Sequence, residues 1–109
     1  MKLFNEPRCR IHFCRVIAID QRGYGDSDKP ENVADYKLEL LTRDIYDFVK
    51  NLNRDKCILV GHDWGAVVCW NVAATYPQIV KNLIILNVPH PNAFAIKLKG
   101  SVKQFLKSW

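Results

Sequence analysis

The feature that most constrains this chain is a short apolar strand followed, across a five-residue turn, by a helix without a polar face. The strand is expected over Lys56–Val60 and the helix over Ala66–Ala74, which is apolar on nearly every side. A helix of that kind is buried inside a domain. An apolar strand that leads directly into it predicts one βα unit of a parallel sheet.

The same alternation is repeated on both sides of this unit. An apolar, β-branched segment at Arg15–Asp20 precedes a polar loop, Gln21–Pro30, and then a helical pattern from Leu38 to Leu52. After the buried helix, Asn82–Val88 is expected to be a third strand, ended by prolines. A last helical pattern runs through Phe94, Leu98, Val102, Phe105 and Trp109.

Three strands alternating with three helices predict an α/β fold with a parallel sheet and right-handed crossovers. The 109 residues allow one domain. Three helices are few for covering both faces of such a sheet. We therefore expect an incomplete core over residues 15–92, preceded by residues 1–14 and followed by a separate helix over 93–109.

The charged residues are dispersed along the chain and do not indicate a charged partner. Lys and Arg total 16 against 11 acidic residues, a net charge of +5. A solvated helix face accounts for the one positive stretch, so a nucleic-acid partner is not expected. No apolar run reaches the ~20 residues of a membrane span. A membrane anchor is therefore expected only if a longer parent protein supplies it. The positive stretch is Lys97, Lys99, Lys103 and Lys107.

The cysteines predict reduced, structural thiols. Cys57 and Cys69 lie in apolar segments, where free cysteine behaves as a small hydrophobic residue. Cys9, His12 and Cys14 have metal-ligand character, but a zinc site needs a fourth ligand and none is evident. We expect no metal, no cofactor and a reducing, intracellular compartment.

The turn between the strand and the buried helix reads Gly61, His62, Asp63, Trp64 and Gly65. This is the G-x-nucleophile-x-G pattern of a nucleophile elbow. Such a turn strains its central residue, and the two glycines let strand and helix approach closely. The side chain of Asp63 would project at the carboxyl edge of the sheet, beside the N–H groups of the first helical turn.

An aspartate at the centre of this turn restricts the chemistry. Its carboxylate needs no base and suits attack on a saturated carbon that bears a leaving group. Water would then attack the resulting ester, with the N–H of Trp64 stabilising the oxyanion. A serine esterase is excluded. The alternative is that Asp63 only caps the helix, and His62 is expected to have a packing and hydrogen-bonding role.

Three segments together resemble the epoxide hydrolases of the α/β-hydrolase superfamily. They are VIAIDQRGYGDSDKP, ILVGHDWGAVVCW and LIILNVPHPNAF, in collinear order. The resemblance implies that Asp63 is the nucleophile and that Trp64 lends an oxyanion-hole N–H. It also implies that Asp20–Asp28 follows the fourth strand of the sheet and that Pro89–Pro91 lies beside the active site. The implied partners are a small-molecule epoxide and water, and the implied product is a diol.

The chain also departs from that family's pattern. Members carry an H-G-x-P segment upstream and, downstream, a cap with two tyrosines, a charge-relay acid and a catalytic histidine. His12 and His90 do not occupy the place of that histidine, and the four tyrosines do not lie in a cap. We therefore expect a partial α/β-hydrolase sheet that lacks the cap and the C-terminal strands, with residues 93–109 as the first cap-region helix. The chain alone is expected to be inactive. The tyrosines are Tyr24, Tyr36, Tyr46 and Tyr76.

Three alternatives stay open. Haloalkane and haloacid dehalogenases resemble this chain at the same turn, including an aspartate followed by tryptophan. A truncated product without turnover belongs to a different class. A phosphate cradle at Gly23 and Gly25 is the third, although the segment lacks G-x-G-x-x-G and no helix follows it directly.

Overall fold

Two parallel strands form the sheet in the part of the chain that the computed structural model describes, residues 15–93 and 95. They are β1 (Cys57–His62) and β2 (Val80–Leu86). Leu59 is paired with Leu83, and the pairing continues to the last residues of both strands. The predicted parallel sheet is therefore confirmed for the second and third expected strands.

Both strands differ from their predicted limits by two residues at their carboxyl ends. β1 continues through Gly61 and His62, beyond the expected end at Val60. β2 ends at Leu86, because Asn87 has a φ of 64° and leaves the extended conformation. Left-handed backbone is tolerated by Asn better than by most residues, so β2 stops before the prolines are reached.

The helix α2 (Trp64–Thr75) connects the two strands and packs against both. Its side chains at Ala66 and Val72 are fully buried, as expected for a helix that is apolar all round. The helix ends where the N–H of Tyr76 donates to the carbonyl of Val72 over 2.7 Å. Proline at position 77 starts a 3₁₀ turn that leads into β2.

The sheet is apolar on both faces, but α2 covers only one of them. Leu59, Leu83 and Ile85 alternate with more exposed residues and are partly buried. On the opposite face, four large apolar side chains keep about half of their surface exposed. They are Ile58 (50%), Val60 (60%), Ile84 (48%) and Leu86 (49%). We call these four residues the open sheet face.

The helix α1 (Leu38–Asn51) contributes the rest of the buried core. Thr42, Ile45 and Val49 are buried at spacings of three and four, which is the periodicity of one helix face. Thr42 accepts a 2.8 Å hydrogen bond from Nδ2 of Asn71 in α2. This bond satisfies two polar groups at the contact between the helices.

The chain clusters into two units, Met1–Leu41 and Thr42–Trp109. In the first unit, the predicted strand Arg15–Asp20 is wrong. Only Ala18 makes a bridge, and Val16 is 65% exposed. A strand is held by a ladder of hydrogen bonds with a neighbour, and a single bridge is too short for one. Among the described residues the sheet therefore has two strands and not three.

The loop after this segment is held by its own hydrogen bonds. Ser27 Oγ donates to the carbonyl of Asp20 over 2.6 Å, and the N–H of Asp26 donates to Asp20 Oδ2 over 3.1 Å. The N–H of Gly23 donates to the carbonyl of Asp28 over 2.9 Å. Because the N–H groups of Gly23 and Asp26 are used inside the loop, and no helix follows the loop directly, a phosphate cradle at Gly23 and Gly25 is not supported.

The described part of the chain ends in helix at residues 91–93 and 95. The remainder of the helix predicted over 93–109, with its lysines, lies outside the described residues, as does the group of Cys9, His12 and Cys14. Within residues 15–93 and 95, no helix is both long enough and apolar enough to cross a membrane.

Candidate active site

Asp63 occupies a one-residue turn between β1 and α2. Its backbone angles are φ 53° and ψ −125°. That region is sparsely populated for residues with a side chain and costs about 1–3 kcal/mol. Such strain is kept where the surroundings impose it, and here a strand and a helix are joined without an intervening loop.

Gly61 allows the helix to start this close to the strand. A Cβ at residue 61 would lie 2.7 Å from Ala66 Cα and 2.9 Å from the carbonyl oxygen of Gly65. Both contacts are shorter than real Cβ contacts, and both are with backbone, which cannot rotate away. The glycine expected on steric grounds is therefore required by the observed packing of β1 against α2.

The first N–H of the helix points at the carboxylate of Asp63. Trp64 N donates to Asp63 Oδ2 over 2.7 Å. The N–H of Ala66 instead donates to the carbonyl of Asp63 over 3.0 Å. Among the described residues, no side chain or backbone group donates to Oδ1. One carboxylate oxygen is thus held at the positive end of a 12-residue helix, and the other is available.

This arrangement also bears on the alternative that Asp63 is only a helix cap. The side chain does accept a hydrogen bond at the N-terminus of α2. An ordinary N-cap residue, however, has β-region backbone and accepts from the second or third helical N–H. Asp63 has a positive φ and accepts from Trp64, the first helical residue. A residue needed only as a cap would not require this strain.

His62 and Asn87 lie next to Asp63 at the carboxyl edge of the sheet. His62 is paired in register with Leu86, and Asn87 follows directly. Asn87 Nδ2 is 3.5 Å from His62 Nε2. Asn87 is not part of any motif that the sequence predicts to be functional. Its signal was an asparagine placed between an apolar strand and a proline, where left-handed backbone is common.

His90 contacts Asn92 and Trp70. Its Nδ1 accepts from the N–H of Asn92 over 3.2 Å, and its ring packs edge-on against Trp70 at 4.7 Å between centroids. In the part of the chain that the structure describes, neither His90 nor His62 is hydrogen-bonded to a carboxylate. No described histidine therefore has the acid partner that a general base at Asp63 would use.

The two described cysteines are free thiols. Burial raises the pKa of the Cys57 thiol. Burial also raises the pKa of Cys69, and the proximity of Cys57 adds to that effect. Thiols in such surroundings stay protonated and unreactive. Within residues 15–93 and 95, no cluster of His, Cys, Asp or Glu could hold a metal ion.

Comparisons with known proteins agree with this geometry. The family model described as the α/β hydrolase fold matches residues 10–109. Epoxide hydrolase 1 of Caenorhabditis elegans is 48% identical over 95 residues, covering 87% of this chain and 24% of that protein. Epoxide hydrolase 4 of Homo sapiens is 46% identical over 94 residues, covering 86% of this chain and 26% of that protein.

Solved structures give the same result. A crystal structure of a mutant epoxide hydrolase from Bacillus megaterium, complexed with its product, aligns with a TM-score of 0.81 and 37% identity. The alignment covers 86% of this chain and 33% of that one. The chain therefore spans 24% to 33% of the length of these three proteins.

Proposed function

Because the chain belongs to the α/β-hydrolase fold family, we propose that it carries the nucleophile of an epoxide hydrolase and that Asp63 is that nucleophile. The observation that carries this proposal is the backbone of Asp63, with φ 53° and ψ −125° at the junction of β1 and α2. Strain of this kind is typical of functional positions. The epoxide hydrolases among the related proteins support the substrate class.

In the first step, the free oxygen of Asp63 attacks a ring carbon of the epoxide. A bond forms between Oδ1 and that carbon, and the carbon–oxygen bond of the ring breaks. The ring oxygen leaves as an alkoxide and takes a proton from an acid or from water. The product is a hydroxyalkyl ester on Asp63. Oδ2, which accepts from Trp64 N–H over 2.7 Å, becomes the carbonyl oxygen of that ester.

In the second step, water attacks the carbonyl carbon of the ester. The negative charge that develops on Oδ2 is stabilised by the same N–H of Trp64, which faces it before the reaction begins. Collapse of the tetrahedral intermediate breaks the bond between the acyl carbon and Oδ1, which takes one proton of the attacking water as it leaves, and the other proton is released to solvent. A diol leaves, and the carboxylate of Asp63 is regenerated.

The described residues provide the nucleophile for the first step but no base for the second. Deprotonating the attacking water requires a base, and neither described histidine is paired with a carboxylate at the turn. We therefore expect the 109-residue chain to form the ester without releasing diol repeatedly. Sustained diol formation that disappears in Asp63→Ala would contradict that expectation.

The experiment for this proposal compares two electrophiles. The chain and its Asp63→Asn variant are incubated with a terminal aryl epoxide or with a primary haloalkane, and intact masses are recorded. An adduct from the epoxide on the wild type alone supports the proposal. An adduct from the haloalkane alone would assign the chain to dehalogenase chemistry. No adduct from either would favour a product without catalytic function.

A further inference from the structure

Asp63 and Asn87 occupy equivalent places on neighbouring strands. The last paired residues of the sheet are His62 in β1 and Leu86 in β2. Asp63 and Asn87 come directly after them, with φ values of 53° and 64°. Two residues with side chains thus adopt left-handed backbone opposite each other at one edge of the sheet.

The described chain has one more residue of this kind, and it differs in its setting. Asn53 has a φ of 54° and follows the end of α1. Left-handed asparagine after a helix is a common way of ending that helix. Asn87 ends no helix. Its side chain contacts the residue that precedes the proposed nucleophile, since its Nδ2 lies 3.5 Å from Nε2 of His62.

The chemistry of this contact restricts the state of the imidazole. Nδ2 of an asparagine can only donate, so this contact favours the neutral tautomer of His62 in which Nε2 accepts and Nδ1 carries the proton. The carboxamide itself is neutral and adds no charge beside the carboxylate of Asp63. The contact links the residue after β2 to His62, which directly precedes Asp63.

We propose that Asn87 is a positioning residue whose carboxamide orients the imidazole of His62 and thereby holds the turn that presents Asp63. The proposal rests on the proposed function for its effect on reactivity. Its structural part, the control of the His62 tautomer, is independent of that function. Asn at this position supplies both the left-handed backbone and the donor, which glycine or alanine alone could not.

Two variants separate these contributions. Asn87→Gly keeps the left-handed backbone and removes the carboxamide, whereas Asn87→Ala removes the carboxamide and also disfavours the backbone. Asn53→Gly is the matched control, because it makes the same change at a left-handed asparagine outside the sheet edge. The nitrogen chemical shifts of the His62 ring report its tautomer, and intact mass reports the rate at which a terminal aryl epoxide forms an adduct on Asp63.

We expect Asn87→Gly to fold, to lose the preference for the Nδ1–H tautomer and to form the adduct about fivefold more slowly, the factor expected for loss of one neutral hydrogen bond. Asn53→Gly should match the wild type in both measurements. An unchanged tautomer in Asn87→Gly would overturn the proposal, as would an unchanged adduct rate. If the wild type forms no adduct, the proposed function fails, and the tautomer measurement still decides whether Asn87 orients His62.

Discussion

Gly61 and Ala66 approach so closely that residue 61 has no room for a side chain: a Cβ there would lie 2.7 Å from Ala66 Cα. Gly61→Ala should therefore destabilise the chain by about 1–3 kcal/mol, the usual cost of overpacking. Unfolding in urea, at low protein concentration, measures the change.

Ala66→Gly provides the matched control for that prediction. The nearest atoms to the added Cβ are backbone atoms of Ala66 and Gly65, so removing the Ala66 side chain should not rescue Gly61→Ala. The double variant should be at least as unstable as Gly61→Ala alone. Full rescue by Ala66→Gly would mean that the contact is relieved by side-chain removal and that the backbone approach is not the constraint.

The turn and its flanking elements could be predicted from the sequence because their signals are local. A glycine on each side of Asp63, an apolar strand before it and an apolar helix after it leave few alternatives. The failure at Arg15–Asp20 has the opposite cause. Its β-branched composition indicates a strand, but a strand needs a partner along its length, and pairing is a property of distant segments. Ala18 alone makes a bridge.

Asn87 was missed for a related reason. Its backbone conformation follows from local preferences, but its contact with His62, 25 residues earlier in the chain, depends on the register of two strands. The tautomer of an imidazole is also set by the groups that surround the ring in the fold, and the local sequence does not specify them. Such cross-strand relationships at the carboxyl edge become visible only once β1 and β2 are placed side by side.

The open sheet face should make the chain self-associate. Val60 and Ile84 are paired in register on that face and are 60% and 48% exposed. Contiguous exposed apolar surface on a sheet promotes aggregation. The double variant Val60→Thr/Ile84→Thr should remain monomeric at higher concentrations than the wild type in light scattering.

The control for this prediction is the same change on the covered face. Leu59→Thr/Leu83→Thr places hydroxyl groups against α2, so it should destabilise the fold and leave aggregation the same or greater. Equal aggregation of the wild type and Val60→Thr/Ile84→Thr would show that the open sheet face does not drive association.

The buried thiols predict that stability falls at alkaline pH. Burial raises the pKa of Cys69 above its ordinary value of 9.0, so the folded state holds that proton more tightly than the unfolded state. The resulting stabilisation is complete below the unfolded pKa and is lost as pH rises through the folded one. The urea midpoint should therefore fall as pH is raised from about 8 to about 10.

Cys69→Ala isolates this contribution, because it removes the thiol and keeps every other titratable side chain of the chain. The alkaline fall in the urea midpoint should be smaller in Cys69→Ala than in the wild type. An identical fall in the two proteins would show that the thiol of Cys69 is not responsible.

The strain at Asp63 is expected to lower the free energy of unfolding. Glycine adopts φ 53° freely, so Asp63→Gly should relieve the strain and raise the free energy of unfolding by about 1 kcal/mol, despite loss of the hydrogen bond from Trp64. Asp63→Ala loses the same bond without that relief and should be less stable than the wild type. If Asp63→Gly is the less stable of the two, the turn is not strained in solution.

The most direct test of the account is to locate the epoxide adduct. Residues 57–81 form one tryptic peptide, whose single carboxylate side chain is Asp63. We predict one adduct on this peptide, released by hydroxylamine as an ester is, and absent from Asp63→Asn. An adduct that resists hydroxylamine would lie on another nucleophilic side chain of this peptide, such as Cys57, Cys69, His62 or Tyr76. That result, or an equal ester adduct in Asp63→Asn, would contradict the assignment of Asp63 as the nucleophile.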